Sequence, residues 1–292
     1  MIFCPADTGR RPLATPKTKT MPDPFDDKKA RLIDALKRFD RLAVALSGGV
    51  DSALLLSMAR EVLGQQVIAV TARSPIHPRE EVADAAAVAR GLGIPHFIVD
   101  TDEMAQADFI ANPPQRCYIC KKIVFNRLLH LIREKGIEHL AHGANADDMA
   151  DYRPGLQAAA ELGVAAPLLD AGMTKDDIRR LAGERGLHVW NKPAMACYAT
   201  RIPYGTPIDD IKVAQIEQAE AVLVDLGFAG GRIRHHGDVA RIEVPLDRIE
   251  ALVAAPLRGQ VAERLKAIGF LHVCVDLEGY VSGSMNRVLK NG

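Results

Sequence analysis

A chain of 292 residues, 48% hydrophobic and 25% charged, has enough apolar material for one large domain or two modest ones. Its 37 Lys plus Arg balance 37 Asp plus Glu, which excludes the global basic field that nucleic acids and anionic membranes select. No apolar run reaches bilayer length and none opens the chain as a signal peptide would, so a cytoplasmic protein is expected, with no membrane or nucleic-acid partner.

Residues 1–27 are rich in Pro, Thr and basic residues and read as a disordered tail, with Met21 an alternative start and Cys4 incidental. From Lys28 a rhythm sets in. The helical stretch ARLIDALKRF precedes a short apolar strand, Leu42–Leu46, then a glycine turn and a helix over Ser52–Leu63. The strand QVIAVTA, the helix REEVADAAAVARGLG and the strand PHFIVDT follow. CKKIVFNRLLHLIREKG then reads as helix, EHLAHGA as strand and TKDDIRRLAGERG as helix. Short apolar strands alternating with amphipathic helices predict an α/β fold, a doubly wound parallel sheet with helices on both faces, over residues 28–200. Beyond Pro203 the pattern changes. A long helix over PIDDIKVAQIEQAEAVLVDLGF, strands in RIRHHGDVARIEVP, a helix over LDRIEALVAAPLRGQVAERLKAIGF and the strand LHVCVDLEGY predict a smaller α+β domain over 201–292.

In LSGGVDS a buried strand gives way to a helix within a few residues. Gly48 and Gly49 permit a close backbone approach, so the N–H groups of the turn and of the helix start can converge on an anion. Ser47 and Ser52 add hydroxyl donors, and Asp51 can cap the helix or approach Mg²⁺ on bound phosphates. The plainer alternative is a tight turn with an Asp cap. The loop lacks the Gly-Lys-Ser/Thr of a P-loop, and SGGVDS resembles the pyrophosphate loop of the PP-loop ATP pyrophosphatases (adenine nucleotide alpha hydrolase-like). That resemblance implies that ATP is split between its α- and β-phosphates. It also implies an adenosine near Ala72, at the end of AVTARSP, and a second loop, HGANADDMADYRPG. There Gly143 permits close approach and Asp147 or Asp148 reaches metal or ribose; Asp148 and Asp151 read otherwise as a solvated acidic loop.

Five cysteines in a chain without secretion features argue against a disulfide scaffold. Cys117-x-x-Cys120 in NPPQRCYICKK suits half a zinc site, a redox pair or part of an iron–sulfur site. Spacing alone does not bring Cys197 to them. If it joins them, three thiolates leave one metal position open for chemistry. Cys274, inside HVCVDL, is expected to be buried as a small hydrophobe.

SGGVDS, ARSP, NPPQRCYICKK, GANADDMADYRPG, KPAMACYATRIPYG, RIRHHGDVARIEV and DLEGYVSGSMN together resemble the LarE-type sulfur transferases, from about residue 30 to the end. The resemblance implies adenylation of the carboxylates of pyridinium-3,5-biscarboxylic acid mononucleotide and their conversion to thiocarboxylates for the nickel-pincer cofactor of lactate racemase. One version of the family sacrifices the sulfur of a cysteine at the position of Cys197. The other holds a [4Fe–4S] cluster on three cysteines, here Cys117, Cys120 and Cys197, and takes sulfur from sulfide or another donor. Three cysteines place this chain with the cluster version, and the family implies a homo-oligomer.

An anionic substrate calls for cations. Arg201, and Arg232 with Arg234 on alternate positions of one strand, can supply them, the alternative being solvated strand arginines. Glu220 and Glu243 can bind metal or substrate, although a surface role fits the sequence better, and His235 and His236 have no assigned task. The competing functions are a tRNA thiolase, an amidating ATP ligase and a non-enzymatic nucleotide or iron–sulfur scaffold. The neutral charge balance gives little to the first, and the cysteines are superfluous to the second.

Overall fold

The computed structural model describes residues 24–150, 154–193, 195–281 and 283–289. Helix α1, Pro24–Leu36, begins inside the segment expected to be a tail, because Phe25 is buried against the core. Strand β1 is Leu42–Ala45 and helix α2 is Val50–Leu63. Strand β2, Val67–Arg73, helix α3, Arg79–Gly91, and strand β3, His96–Asp100, follow. A short helix α4, Ala107–Ile110, leads to the long α5, Arg116–Glu134, and strand β4, His139–Ala141. Helices α6, Pro154–Glu161, α7, Pro167–Asp170, and α8, Lys175–Glu184, complete this half.

The four strands are parallel in the order β3-β2-β1-β4, and the period-two alternation of β1 and β2 sorts their side chains between two cores. Leu42, Val44, Val67 and Ala69 pack with α1, α2, α3 and α8 on one face. Ala43, Ile68 and Val70 pack with Val124, Phe125 and Leu128 of α5 on the other. The doubly wound reading holds. The chain leaves β1 toward β2 and β3, then returns to β4 on the opposite side of β1. The strand ends at β1 and β4 therefore form the crevice where such sheets bind ligands.

The smaller part contains α9, Asp210–Asp225, and the strands β5, Arg232–His236, and β6, Val239–Glu243. Helices α10, Ile249–Val253, and α11, Leu257–Ile268, and strand β7, His272–Val275, close it. Strand β6 pairs antiparallel with β5 and parallel with β7, over a third core from α9, α10 and α11. The single helix expected over 246–270 is two, separated by the cis Ala255–Pro256 bond. Cys274 is exposed rather than buried: in β7 it is Val273 and Val275 that pack on the core, and alternation turns His272 and Cys274 outward. No helix among the described residues is long and apolar enough to cross a membrane.

Candidate active site

The turn after β1 is shaped by its glycines. Gly48 has φ +78°, and a Cβ there would lie 2.3 Å from the carbonyl oxygen of Glu81 on α3. Gly49 is the N-cap of α2 and takes no side-chain cap; Asp51 lies inside the helix and does not cap it, contrary to one of the sequence readings. Ser52 Oγ accepts from the Ser47 N–H (3.1 Å) and donates to the Gly49 carbonyl (3.1 Å), with Ser47 Oγ 3.2 Å away. The turn is thus closed on itself by the two serines, with the α2 N-terminus open at its centre.

The loop after β4 meets this turn. A Cβ on Gly143 would stand 2.7 Å from the Ser52 nitrogen, so glycine is what lets the two loops touch. Asn145, buried, donates to Asp51 Oδ1 (3.1 Å), and the Lys175 ammonium pairs with Asp51 Oδ2. Asp147 accepts the Lys175 backbone N–H (2.7 Å), while Asp148 accepts that of Asn145 (3.0 Å) and pins the loop. The sequence reading missed Asn145 and Lys175. Their signal was position, Asn145 between Gly143 and Asp147 and Lys175 at the start of α8. Asp151 lies outside the described residues. Ala72, half-buried near the end of β2, packs against the α5 side of the sheet.

The cysteines stand beside this crevice. Cys117 and Cys120 occupy the first turns of α5, one helical turn apart. Cys197 is the N-cap of a short 3₁₀ turn, Tyr198–Arg201, tied to the β2–α3 loop by Tyr198 N–H donating to Ile76 O (2.8 Å). Burial, with the neighbouring Cys117, raises the Cys197 thiol, against Arg116 and Arg201. Burial holds Cys120 well above the usual thiol range; Cys197, Glu103 and Cys117 add to this, and Lys121 opposes it. The three sulfurs therefore feel one another, and Cys120 Sγ–H donates to the fully buried Glu103 (3.8 Å). The donor set suits a metal cluster in kind. As the side chains stand, no group of three or more His, Cys, Asp or Glu among the described residues is arranged to hold a metal ion.

Lys121 joins the two halves of the site. Its ammonium lies 5.5 Å from the Phe125 ring centroid, and that ring meets His142, at the end of β4, edge-on at 5.5 Å. Burial, with Lys121 adding to it, pulls His77 and His142 down to about 4, so both are neutral near pH 7. Burial pushes Glu81 up to about 7 against the pull of Lys192, Lys121 and Arg201.

The arginines are not solvated. Arg201 is 1% exposed and grips Glu220 with two hydrogen bonds, 2.8 and 3.0 Å. Arg234 pairs with Glu243 at 2.6 Å and donates to Thr200 O at 3.1 Å. Arg232 donates to Gly230 O and Gly231 O, and burial followed by the charge of Arg201 lowers its pKa. Glu220 and Glu243 are buried partners of these cations, not surface residues. The apolar stripe of α9 shows why: Val213, Ile216 and Leu223 bracket Glu220 at helical spacing. His235 is buried beside Gln215, while His236 is exposed.

Comparison with known proteins adds to this geometry. The asparagine synthase family model matches residues 31–168, the part that holds the parallel sheet and the glycine turn. A Lactiplantibacillus plantarum protein named pyridinium-3,5-bisthiocarboxylic acid mononucleotide synthase is 40% identical over 263 residues, 90% of this chain and 95% of its own. An uncharacterized Synechocystis protein is 41% identical over 265 residues, 91% of this chain and 99% of its own. The tRNA-specific 2-thiouridylase MnmA of Rickettsia felis is 30% identical over 231 residues, covering 65% of this chain and 62% of its own.

Proposed function

Because the chain belongs to the LarE-type ATP-dependent sulfur transferases of the PP-loop superfamily, we propose that it converts the carboxylates of pyridinium-3,5-biscarboxylic acid mononucleotide to thiocarboxylates, for the nickel-pincer cofactor of lactate racemase. The observation that carries this reading is the gathering of Cys117 and Cys120, one turn apart on α5, with Cys197, which packs on the same core as Cys120, in a chain that also has the glycine turn before α2. A phosphate site alone serves many ligases; only sulfur chemistry needs the thiols there.

The turn at Ser47–Ser52 receives the β- and γ-phosphates on its N–H groups and the α2 N-terminus. Asp51 and Asp147 are the residues that would hold Mg²⁺ on them, Asp51 exchanging its contact with Lys175. A substrate carboxylate oxygen attacks the α-phosphorus and pyrophosphate leaves. A sulfur nucleophile then attacks the acyl carbon, and AMP departs with the oxygen. Adenylation is needed because a bare carboxylate has no adequate leaving group.

Arg232, whose charge burial and then Arg201 disfavour, is a cation that an arriving anion would favour. Arg201 and Arg234, matched to Glu220 and Glu243, set the wall against which the substrate lies. Cys117, Cys120 and Cys197 would hold the [4Fe–4S] cluster. Burial raises the Cys120 and Cys197 thiols and Cys117 adds to both, so thiolates gathered here call for a compensating cation, and that supports metal ligation. Held there, the cluster would supply sulfur in a form that is nucleophilic at neutral pH.

The test is product analysis with ATP, Mg²⁺, sulfide and the biscarboxylic mononucleotide. AMP, pyrophosphate and a thiocarboxylate product are expected. ADP and phosphate would end the reading, and thiolation of tRNA in place of the mononucleotide would transfer it to the 2-thiouridylase class.

A further inference from the structure

A cavity of about 350 Å³, large enough for a small ligand, opens beside the smaller sheet. Its walls come from Pro203 and Tyr204 in the stretch after Cys197, from Arg241 of β6, and from the chain that follows β7. The glycine turn and the three site cysteines lie outside its lining. The sheet explains one wall. Arg234 and Arg241 stand directly opposite each other on β5 and β6, and their neighbours Ile233 and Ile242 pack on the third core, so alternation turns both arginines to the other face. Like charges at opposed positions repel. Here the two divide Glu243, which lies 2.6 Å from Arg234 and 3.2 Å from Arg241, and Arg241 also donates to Asp276 (2.7 Å).

The acceptors of the cavity are spent and its donors are not. Asp276 takes the Arg241 guanidinium on one oxygen and the Glu278 N–H (3.0 Å) on the other, and Glu278 accepts from Arg287. Yet Arg241 Nε and Ser284 Oγ, on two residues that line the cavity, are buried with no hydrogen-bond partner among the described residues. A buried donor left unfilled is costly, so two at one cavity mark the place of an arriving acceptor, and at a guanidinium that acceptor is an oxyanion. Pro203, Tyr204, Val281 and Met285 add an apolar wall. Tyr204 is held in place, its hydroxyl donating to Asn286 (3.0 Å) and its ring centroid lying 4.4 Å from the Arg116 guanidinium carbon. A bare phosphate would fill the donors and leave this wall unused, whereas a flat ring that carries a phosphate uses both.

We propose that this cavity binds a mononucleotide, with its phosphate on Arg241 Nε and Ser284 Oγ and its ring along Tyr204. Two mononucleotides belong to the reaction proposed above, the pyridinium substrate and the AMP that leaves when sulfur attacks. Both bring the same chemistry to the cavity, a phosphate monoester on a sugar and a flat ring. The cavity's assignment stands on its lining and goes beyond the sulfur-transfer reading; only the choice between the two occupants rests on that reading.

The test uses the full-length protein without ATP or Mg²⁺, titrated calorimetrically with the biscarboxylic mononucleotide, with AMP and with orthophosphate. Arg241→Lys keeps a cation for Asp276 and Glu243 but lacks the Nε–H. Ser284→Ala lacks the hydroxyl, lies on the last turn, and serves if the lysine variant does not fold. Each loses a hydrogen bond to a charged group, so the occupant is expected to bind about tenfold more weakly or worse in either variant. Weakening of the biscarboxylic mononucleotide assigns the cavity to substrate, and weakening of AMP assigns it to product. Orthophosphate should bind the parent less tightly than the occupant does, since it leaves the apolar wall bare. Affinities for both mononucleotides that are absent in the parent, or unchanged in a folded variant, would overturn the proposal and leave the cavity to ordered water. Orthophosphate binding as tightly as either mononucleotide would also overturn it. A protein that shows the weakening yet forms no thiocarboxylate keeps this site and fails the sulfur-transfer reading. One that forms thiocarboxylate while both substitutions leave its mononucleotide affinities unchanged fails this proposal alone.

Discussion

At Gly48 the backbone is held at φ +78° with α3 pressed against it, whereas its neighbour Gly49 has ordinary extended geometry and only Ser47 Oγ nearby, at 3.5 Å from a Cβ. The two glycines therefore separate shape from ligand approach. Gly48→Ala must strain the turn and push Glu81 away, and should destabilise the protein by about 2–4 kcal/mol. Gly49→Ala has room in the folded state and should stay within about 1 kcal/mol of the parent, as expected for an N-cap change. Urea unfolding of the two variants checks this. Equal losses in both would show that the contact with α3 is not what demands glycine at 48. A nucleotide-binding defect confined to Gly49→Ala would mark the face that phosphates approach.

Between elements, the junction of α9, β5 and the turn after Cys197 depends on the bidentate Arg201–Glu220 pair, with Ile233 N–H also donating to Glu220 (3.2 Å). Breaking such a pair leaves a buried charge behind, so Glu220→Ala should cost about 3–5 kcal/mol. Arg201→Met with Glu220→Leu removes both charges and leaves mainly the Ile233 N–H unsatisfied, at about 1–3 kcal/mol. The double variant should therefore unfold at higher denaturant than Glu220→Ala alone, a coupling that a double-mutant cycle reads directly; additive losses would mean the pair is not a unit. The parallel sheet, the glycine turn and the Cys117–Cys120 pair were legible in the sequence because local rules govern them: apolar strands, turn glycines, and thiols one helical turn apart. Glu220, Glu243, Asn145 and Lys175 were not. Their roles come from partners 19, 9, 94 and 124 residues distant, and no local pattern reports a contact at that range. Cys274 failed for a smaller reason, a four-residue strand whose alternation was read on the wrong face.

For the molecule as a whole the open matter is where the transferred sulfur comes from, and the arrangement of thiols bears on it. If Cys197 gave up its own sulfur, each subunit would act once and lose roughly 34 Da as dehydroalanine forms. Nothing in that chemistry needs Cys117 and Cys120. Yet both stand on the first turns of α5, and burial raises the thiols of Cys120 and Cys197, with Cys117 adding to each. A site where gathered thiolates are costly would suit an iron cluster that compensates them. Cys117→Ala, Cys120→Ala and Cys197→Ala are each expected to lose sulfur transfer and cluster absorption while still binding ATP at the turn some residues away. After anaerobic turnover with supplied sulfide, intact-mass analysis should find Cys197 unchanged and product in excess of enzyme. A dehydroalanine at 197, together with activity surviving in the Cys117→Ala/Cys120→Ala double variant, would assign the sulfur to the polypeptide itself and leave the paired cysteines of α5 without a part in the reaction.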